Sequence, residues 1–388
     1  MKKEAEANAT WRRMYKILHL NRFPIMKIDQ LLKELERWAP PQLQESYDNA
    51  GLITGNAQDE LTGVLFCLDT TEAVVQEAIS KGYNLIVAHH PIVFSGLKRL
   101  TGASYIERTV MLAIRNNISI YAIHTNLDNV HTGVSAEMAK RLGLINTRVL
   151  QPKKGLLRKL VTYVPDAHAE EVRNALFAVG AGHIGNYDEC SFNLNGTGTF
   201  RPNDEASPFI GESGKRQEES ETRIELVAPF WLQQSITQTL FRIHPYEEVA
   251  YDWTILDNYH QLIGSGMVGD LNNEMDTSEV LGLIKNVFGG TIRYTSPHTS
   301  TIKRIALCGG SGSFLLKDAI HSGADLFLTA DFKYHQFFDA DGKIIIADIG
   351  HFESEQFTME LIHRYLNEKI PNFAGSLTTI STNPIHYL

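Results

Sequence analysis

The chain has 388 residues, 43% hydrophobic and 21% charged, which is enough for two or three folded cores. Acidic residues outnumber basic ones, 45 to 36, and the formal charge of -9 argues against a surface built to grip a nucleic-acid backbone. The longest apolar run, from Leu85 to Phe94, is broken by two histidines and a proline, well short of the roughly 18 residues that cross a bilayer.

Residues 1–25 carry Lys2, Lys3, Arg12, Arg13 and Lys16, with neither an apolar stretch of signal-peptide length nor a small-residue cleavage site. They read as a frayed extension or a start codon placed too early. Regular patterning begins at Met26, where MKIDQLLKELERW has helical spacing. Cys67, Cys190 and Cys308 are odd in number and far apart. They read as buried free thiols in a reducing compartment, which implies a cytoplasmic location.

Two stretches resemble each other. Val64 to Phe94 reads strand, helix, strand, and so does the stretch from Arg304, with Gly82 aligning on Gly323. Each helix ends at a glycine, free to take the left-handed conformation of a helix C-terminus. An apolar run of the kind buried on both faces follows. His90 then falls opposite Asp331, just past the carboxyl end of a strand, where open α/β sheets bind ligands. A further strand follows in each half, ISIYAI before His124 and KIIIADI before Gly350. Residues 26–152 and 259–388 are therefore expected to be two related βαβ-containing halves of one α/β body. Residues 153–258, with their own strand–helix–strand–strand–helix–strand order, are expected to be an inserted ferredoxin-like α+β domain.

Three groups could carry metal chemistry. His89 and His90 are adjacent, and neighbouring side chains converge only where a strand ends, which Pro91 favours. Taken alone, the pair fits core packing equally well. His124-Thr-Asn-Leu-Asp128 places an imidazole and a carboxylate in one short loop, though an Asp there also suits a turn or a helix cap. His351 and Glu355 share a helix face, as metal-binding pairs do and as surface salt bridges also do. Together, His89, His90, Asp128, His351 and Glu355 exceed what one tetrahedral zinc takes and suit two divalent ions sharing a carboxylate. Such a centre attracts a small anionic substrate and activates water for hydrolysis. Nitrogen and oxygen ligands suit zinc, iron and manganese alike.

Other features are weaker. His335 and Asp331 are candidate proton-transfer groups near that edge. Gly309 to Ser313 is either a tight turn or a phosphate cradle lacking the lysine of a P-loop, and Gly264 to Gly269 reads as a strand or turn. His244 in HPYEE reads as structural or as part of an interface.

Six motifs in this order, ESYDNAGLITG, AHHP, HTNLD, CGGSGS, TADFKYHQ and DIGHFESE, closely resemble the NGG-interacting-factor-three-like family. Its members carry the name GTP cyclohydrolase 1 type 2 homolog. The insertion resembles that of longer bacterial members, whose extra domain is PII- or CutA-like, through GHIGNYDECSF, GTGTFRP and HPYEEVAYD. The resemblance implies a dinuclear centre at His89, His90, Asp128, His351 and Glu355, a toroidal homohexamer, and opening of the GTP purine ring with release of formate. Metal-dependent phosphoester hydrolysis and a non-enzymatic regulatory hexamer remain the alternatives.

Overall fold

The computed structural model describes residues 26–388, so the expectation for residues 1–25 lies outside the described residues. The chain divides into two compact units. One comprises the residues up to Thr147 with Gly266–Leu388, and the other Arg148–Ser265. The second unit is a few residues longer at each end than the expected 153–258.

The first half opens with α1 (Ile28–Trp38), which buries Ile28, Leu31, Leu32 and Leu35, one stripe at helical spacing. There follow β1 (Gly51–Thr54), β2 (Val64–Cys67), α2 (Glu72–Lys81), β3 (Leu85–Ala88), α3 (Tyr105–Arg115) and β4 (Ser119–Ala122). Every residue of β2, β3 and β4 is buried, which is why they read as continuous apolar runs. The Thr71 side chain caps α2 by accepting from the Val74 amide, and the helix stops at Gly82 with φ 70°. Beyond β4 come the short α4 (Thr125–Asp128), α5 (Val134–Arg141) and β5 (Ile145–Lys154).

The second unit contains β6 (Leu157–Pro165), α6 (Ala169–Ala178), β7 (Ser191–Phe200), β8 (Gln217–Pro229), α7 (Gln233–Ile243) and β9 (Tyr251–Leu256). Its antiparallel sheet has the order β7-β8-β6-β9. Leu160, Val164, Ile224 and Leu226 pack against Val172, Leu176, Ile236 and Leu240 of the two helices. His244 is structural there: its Nδ1 accepts from the Tyr246 amide and its Nε2 donates to Tyr163 O.

The chain returns through β10 (Tyr259–Asp276), so Gly264 to Gly269 lies within a strand. It continues as α8 (Thr277–Phe288), β11 (Arg293–Tyr294), β12 (Thr301–Ser311), α9 (Leu316–His321), β13 (Leu326–Ala330) and β14 (Ile345–Asp348). Then come α10 (His351–Glu355), α11 (Thr358–Lys369) and β15 (Gly375–Leu377).

The two sheets of the first unit follow one plan. Their orders are β1-β4-β3-β2-β15 and β11-β14-β13-β12-β10-β5. Each has a run of parallel strands, β4-β3-β2-β15 in the first and β14-β13-β12 in the second, beside an antiparallel edge strand, β1 on β4 and β11 on β14. This is an α/β body of two related halves. Within three residues of the ends of β3, β4, β13 and β14 come His89 and His90, His124, Asp331 and His351, so these side chains gather at the carboxyl ends of the strands.

Cys67 and Cys308 are buried free thiols within β2 and β12. Cys190 departs from the expected burial: it is partly exposed, just ahead of β7.

Candidate metal centre

The side chains expected from three distant stretches meet. His90 Nε2 lies 2.9 Å from Glu355 Oε2, and His351 Nε2 lies 3.2 Å from the same oxygen. His89 Nε2 lies 3.6 Å from Asp128 Oδ1 and 3.8 Å from Glu355 Oε2. Local structure explains the convergence. His89 and His90 follow the last residue of β3, with their amides bonded to Cys67 O and Leu68 O. Asp128 closes α4, a turn anchored by Asn126, whose side chain accepts from the His124 amide and donates to Ala39 O. His351 and Glu355 lie on one face of α10, four residues apart.

Each imidazole is held by its Nδ1, which turns Nε2 inward. His89 Nδ1 donates to Ile123 O at 2.8 Å, His90 Nδ1 to Asp69 at 2.8 Å, and His351 Nδ1 to Asp331 at 2.6 Å. This is the arrangement that orients metal-bound histidines. Asp331 reaches His351 from a left-handed backbone, φ 59°, immediately after β13. Aspartate tolerates that conformation better than most residues. Asp348 braces the two loops, accepting from the Phe332 and Gly350 amides and from Arg293.

Electrostatics and unmet bonding both fit a cation. His89 Nε2 and Asp128 Oδ1 are buried without a hydrogen-bond partner, a costly state that a metal ion would relieve. Burial, and then the nearby Glu355 carboxylate, push the Asp128 carboxyl well above its ordinary range. For Glu355, burial opposes ionisation, but His351, His89 and His90 overcome it and hold the carboxyl well below its ordinary range. Histidine and carboxylate donors are those that first-row divalent ions take. His90, His351 and Glu355 each offer a ligand atom within 4.8 Å of the others, and so do His89, His90 and His124.

Beside the cluster, His124 and Asp48 form a hydrogen-bonded pair that motif reading left without a role. His124 Nδ1 donates to Asp48 Oδ1 at 2.7 Å, and Asp48 also accepts from the Thr125 amide and hydroxyl. Burial opposes ionisation of Asp48, but His124 and Thr125 hold its pKa at about 2. The His124 ring lies 5.3 Å from both His89 and His90. Asp48, Asp69 and Asp331 each take one ring nitrogen, of His124, His90 and His351, whereas His89 bonds a backbone carbonyl, and no local pattern in the sequence marks these partners.

Two candidates sit differently. Asp331 is committed to His351, and His335 is exposed, its ring against Tyr334 and Phe338. Of the stretch Gly309 to Ser313, Gly309–Ser311 ends β12 and Ser313 opens a single 3-10 turn, and the Gly310 amide is bonded to Ser354 Oγ at 2.9 Å. Its small residues make room for the centre. A Cβ on Gly310, which has φ 59°, would lie 2.3 Å from Glu355 Oε1.

A curated relative from Halalkalibacterium halodurans named "GTP cyclohydrolase 1 type 2 homolog" is 36% identical over 365 residues, covering 92% of this chain and 98% of that protein. One of the same name from Bacillus subtilis is 35% identical over 366 residues, covering 92% and 98%. The solved structure of a Bacillus cereus protein related to NIF3 superposes with TM-score 0.83 at 35% identity, covering 94% of this chain and all of that one. The sequence model of the Duf34/NIF3 (NGG1p interacting factor 3) family matches residues 26–384, and the chain belongs to that family.

Proposed function

We propose that the protein is a dinuclear-metal-dependent hydrolase acting on a nucleotide or a similar phosphorylated heterocycle, with GTP as the first candidate substrate. The observation that carries this reading is the meeting of His89, His90, Asp128, His351 and Glu355 around two buried atoms, His89 Nε2 and Asp128 Oδ1, that lack a hydrogen-bond partner. Two divalent ions held there would polarise the substrate and bring the pKa of a water toward neutrality.

The chain's own residues supply the rest. His124, oriented by Asp48, is placed to take a proton from the attacking water and return it to the leaving nitrogen. Asp331 is engaged with His351, which leaves His124 better placed than Asp331 or His335 for that transfer. Tyr47 and Phe94 form an exposed stacked pair, 6.3 Å between centroids, and Phe94 lies 6.0 Å from the His124 ring. Such a pair suits a planar heterocycle. GTP itself comes from the name that the curated relatives carry.

The homohexamer, the cytoplasmic location and a PII- or CutA-like form for the inserted unit Arg148–Ser265 belong to the same proposal. The βαββαβ order of that unit supports the last. No helix of the described residues is long and apolar enough to cross a membrane.

Incubation of zinc-, manganese- or iron-loaded protein with a nucleotide panel, resolved by HPLC and a formate assay, tests the reading. Formate and a ring-opened product from GTP support it. GDP or inorganic phosphate would move the same centre to phosphoester hydrolysis. An untouched panel, beside tight binding of a metabolite, would replace the hydrolase with a regulatory metal protein.

A further inference from the structure

The segment after β15 does not leave the body. β15 pairs in parallel with β2, Gly375 to Leu377 against Val64 to Phe66, so both strands emerge at the same sheet edge. β2 runs into Asp69, and β15 runs into a tail whose Thr378 amide still bonds Phe66 O at 2.9 Å. Glu77 on α2 then clasps the tail. It accepts from the Thr378 hydroxyl at 2.5 Å, the Thr379 amide at 3.0 Å and the Thr379 hydroxyl at 2.9 Å. Thus held, Thr382 donates its hydroxyl to Asp69 Oδ2 at 2.8 Å, while Asp69 Oδ1 holds His90 Nδ1 at 2.8 Å. The next residue, Asn383, donates to Glu353 Oε1 at 3.2 Å. Glu353 is buried in α10, between His351 and Glu355.

The tail therefore touches both halves of the metal body: Thr382 bonds the holder of His90, and Asn383 bonds Glu353, two residues from each of the proposed ligands His351 and Glu355. A carboxylate bonded through a single oxygen can turn about its last side-chain bond, because that torsion is broad. Fixing the second oxygen removes the freedom, and the ring it holds inherits the order. We infer that Thr382 is a positioning residue for the metal centre: acting through Asp69, it sets the orientation of the His90 imidazole, with Asn383 steadying α10 from the other side. This rests on the metal-centre reading above. It adds a requirement that the five ligands do not carry: the C-terminal tail must be seated for His90 to bind at full strength.

The test is a chelator-competition titration of Zn2+ and Mn2+ on the full chain. The set comprises wild type, Thr382→Val, Thr382→Ser, Asn383→Ala and His90→Ala, with the Co2+ absorption spectrum as a second readout. Thr382→Val keeps the volume and removes the donor. It weakens binding by about 10-fold, the scale seen when an outer partner of a metal-bound histidine is lost, and alters the Co2+ spectrum. Circular dichroism and the melting temperature of its metal-free form stay at wild-type values. Thr382→Ser restores affinity and spectrum. Asn383→Ala carries the test if Thr382→Val fails to fold, and it also weakens binding. If His90→Ala weakens binding while the Thr382 and Asn383 variants titrate and absorb as wild type, the tail has no positioning role and the centre stands. If His90→Ala also binds like wild type, the centre itself is misassigned.

Discussion

His90 Nε2 lies 2.9 Å from Glu355 Oε2, although 265 positions separate the two residues along the chain. The same oxygen is 3.2 Å from His351 Nε2 and 3.8 Å from His89 Nε2, so one carboxylate oxygen faces three imidazoles. Glu355→Gln keeps the shape and removes the charge. It is expected to lower metal affinity by more than the roughly 10–100-fold that loss of an outer partner costs. Metal analysis after dialysis against a weak chelator reads this directly, and full retention of metal would remove Glu355 from the ligand set.

Protons and metal compete for the same nitrogens. In the metal-free protein, burial alone would depress the pKa of His90 and His351. Asp69 and Glu355 instead push His90 up to about 10, and Asp331 and Glu355 push His351 up to about 11. A raised folded-state pKa stabilises the metal-free fold fully below the ordinary 6.5, and that contribution fades as pH rises through about 10 and 11. At neutral pH both imidazoles are therefore charged, and a metal must displace protons to bind. Affinity should climb with pH through the neutral range. Calorimetry in buffers of different ionisation enthalpy should show proton release on Zn2+ or Mn2+ uptake. Uptake with no proton release at neutral pH would contradict this.

Gly310 is a steric requirement of the site. Its backbone is left-handed, and an added Cβ would lie 2.3 Å from Glu355 Oε1 and 3.2 Å from His351 Cε1. Gly310→Ala should cost about 1–3 kcal/mol of stability from the backbone conformation alone. It should also weaken metal binding by displacing Glu355. Urea unfolding of the metal-free form separates the first effect from the second, which a metal titration reads. Wild-type values in both would mean the turn relaxes freely.

His124 separates chemistry from binding. It is tied to Asp48 and lies beside His89 and His90, yet it is outside the five-residue ligand set. His124→Gln should keep the metal content of wild type and lower kcat by about 10²–10⁴-fold, the usual contribution of a positioned proton carrier. Loss of metal in that variant would instead make His124 a ligand.

Much of this was legible before any coordinates. The apolar runs ending at Ala88, Ala330 and Asp348 read as buried parallel strands because no solvent-facing alternation interrupts them. Gly82 and Gly323 marked helix ends because both adopt the left-handed backbone there, φ 70° and 73°. The partners of the histidines were not legible. Asp48, Asp69 and Thr382 are polar residues in loops, and a loop carboxylate or hydroxyl has the same local signature whether it caps a turn or braces an imidazole. The glycines of CGGSGS left a turn and a phosphate cradle open for a related reason: glycine records only that space is needed, and at Gly310 the space is taken by Glu355.

By itself the sequence determined the central apolar strands of each half (though not the edge strands β1, β11 and β15), their ends and the donor types that lie just beyond them, because periodicity, chain punctuation and side-chain chemistry are local properties. It also determined that the two halves share one plan. Only the tertiary structure decided that His90 and Glu355 share an oxygen-to-nitrogen contact, that Asp48, Asp69 and Asp331 each hold an imidazole, and that Thr382 reaches Asp69 across 313 positions of chain. Those relations depend on how two separately patterned sheets are brought together, and that is set by packing among residues far apart in the chain.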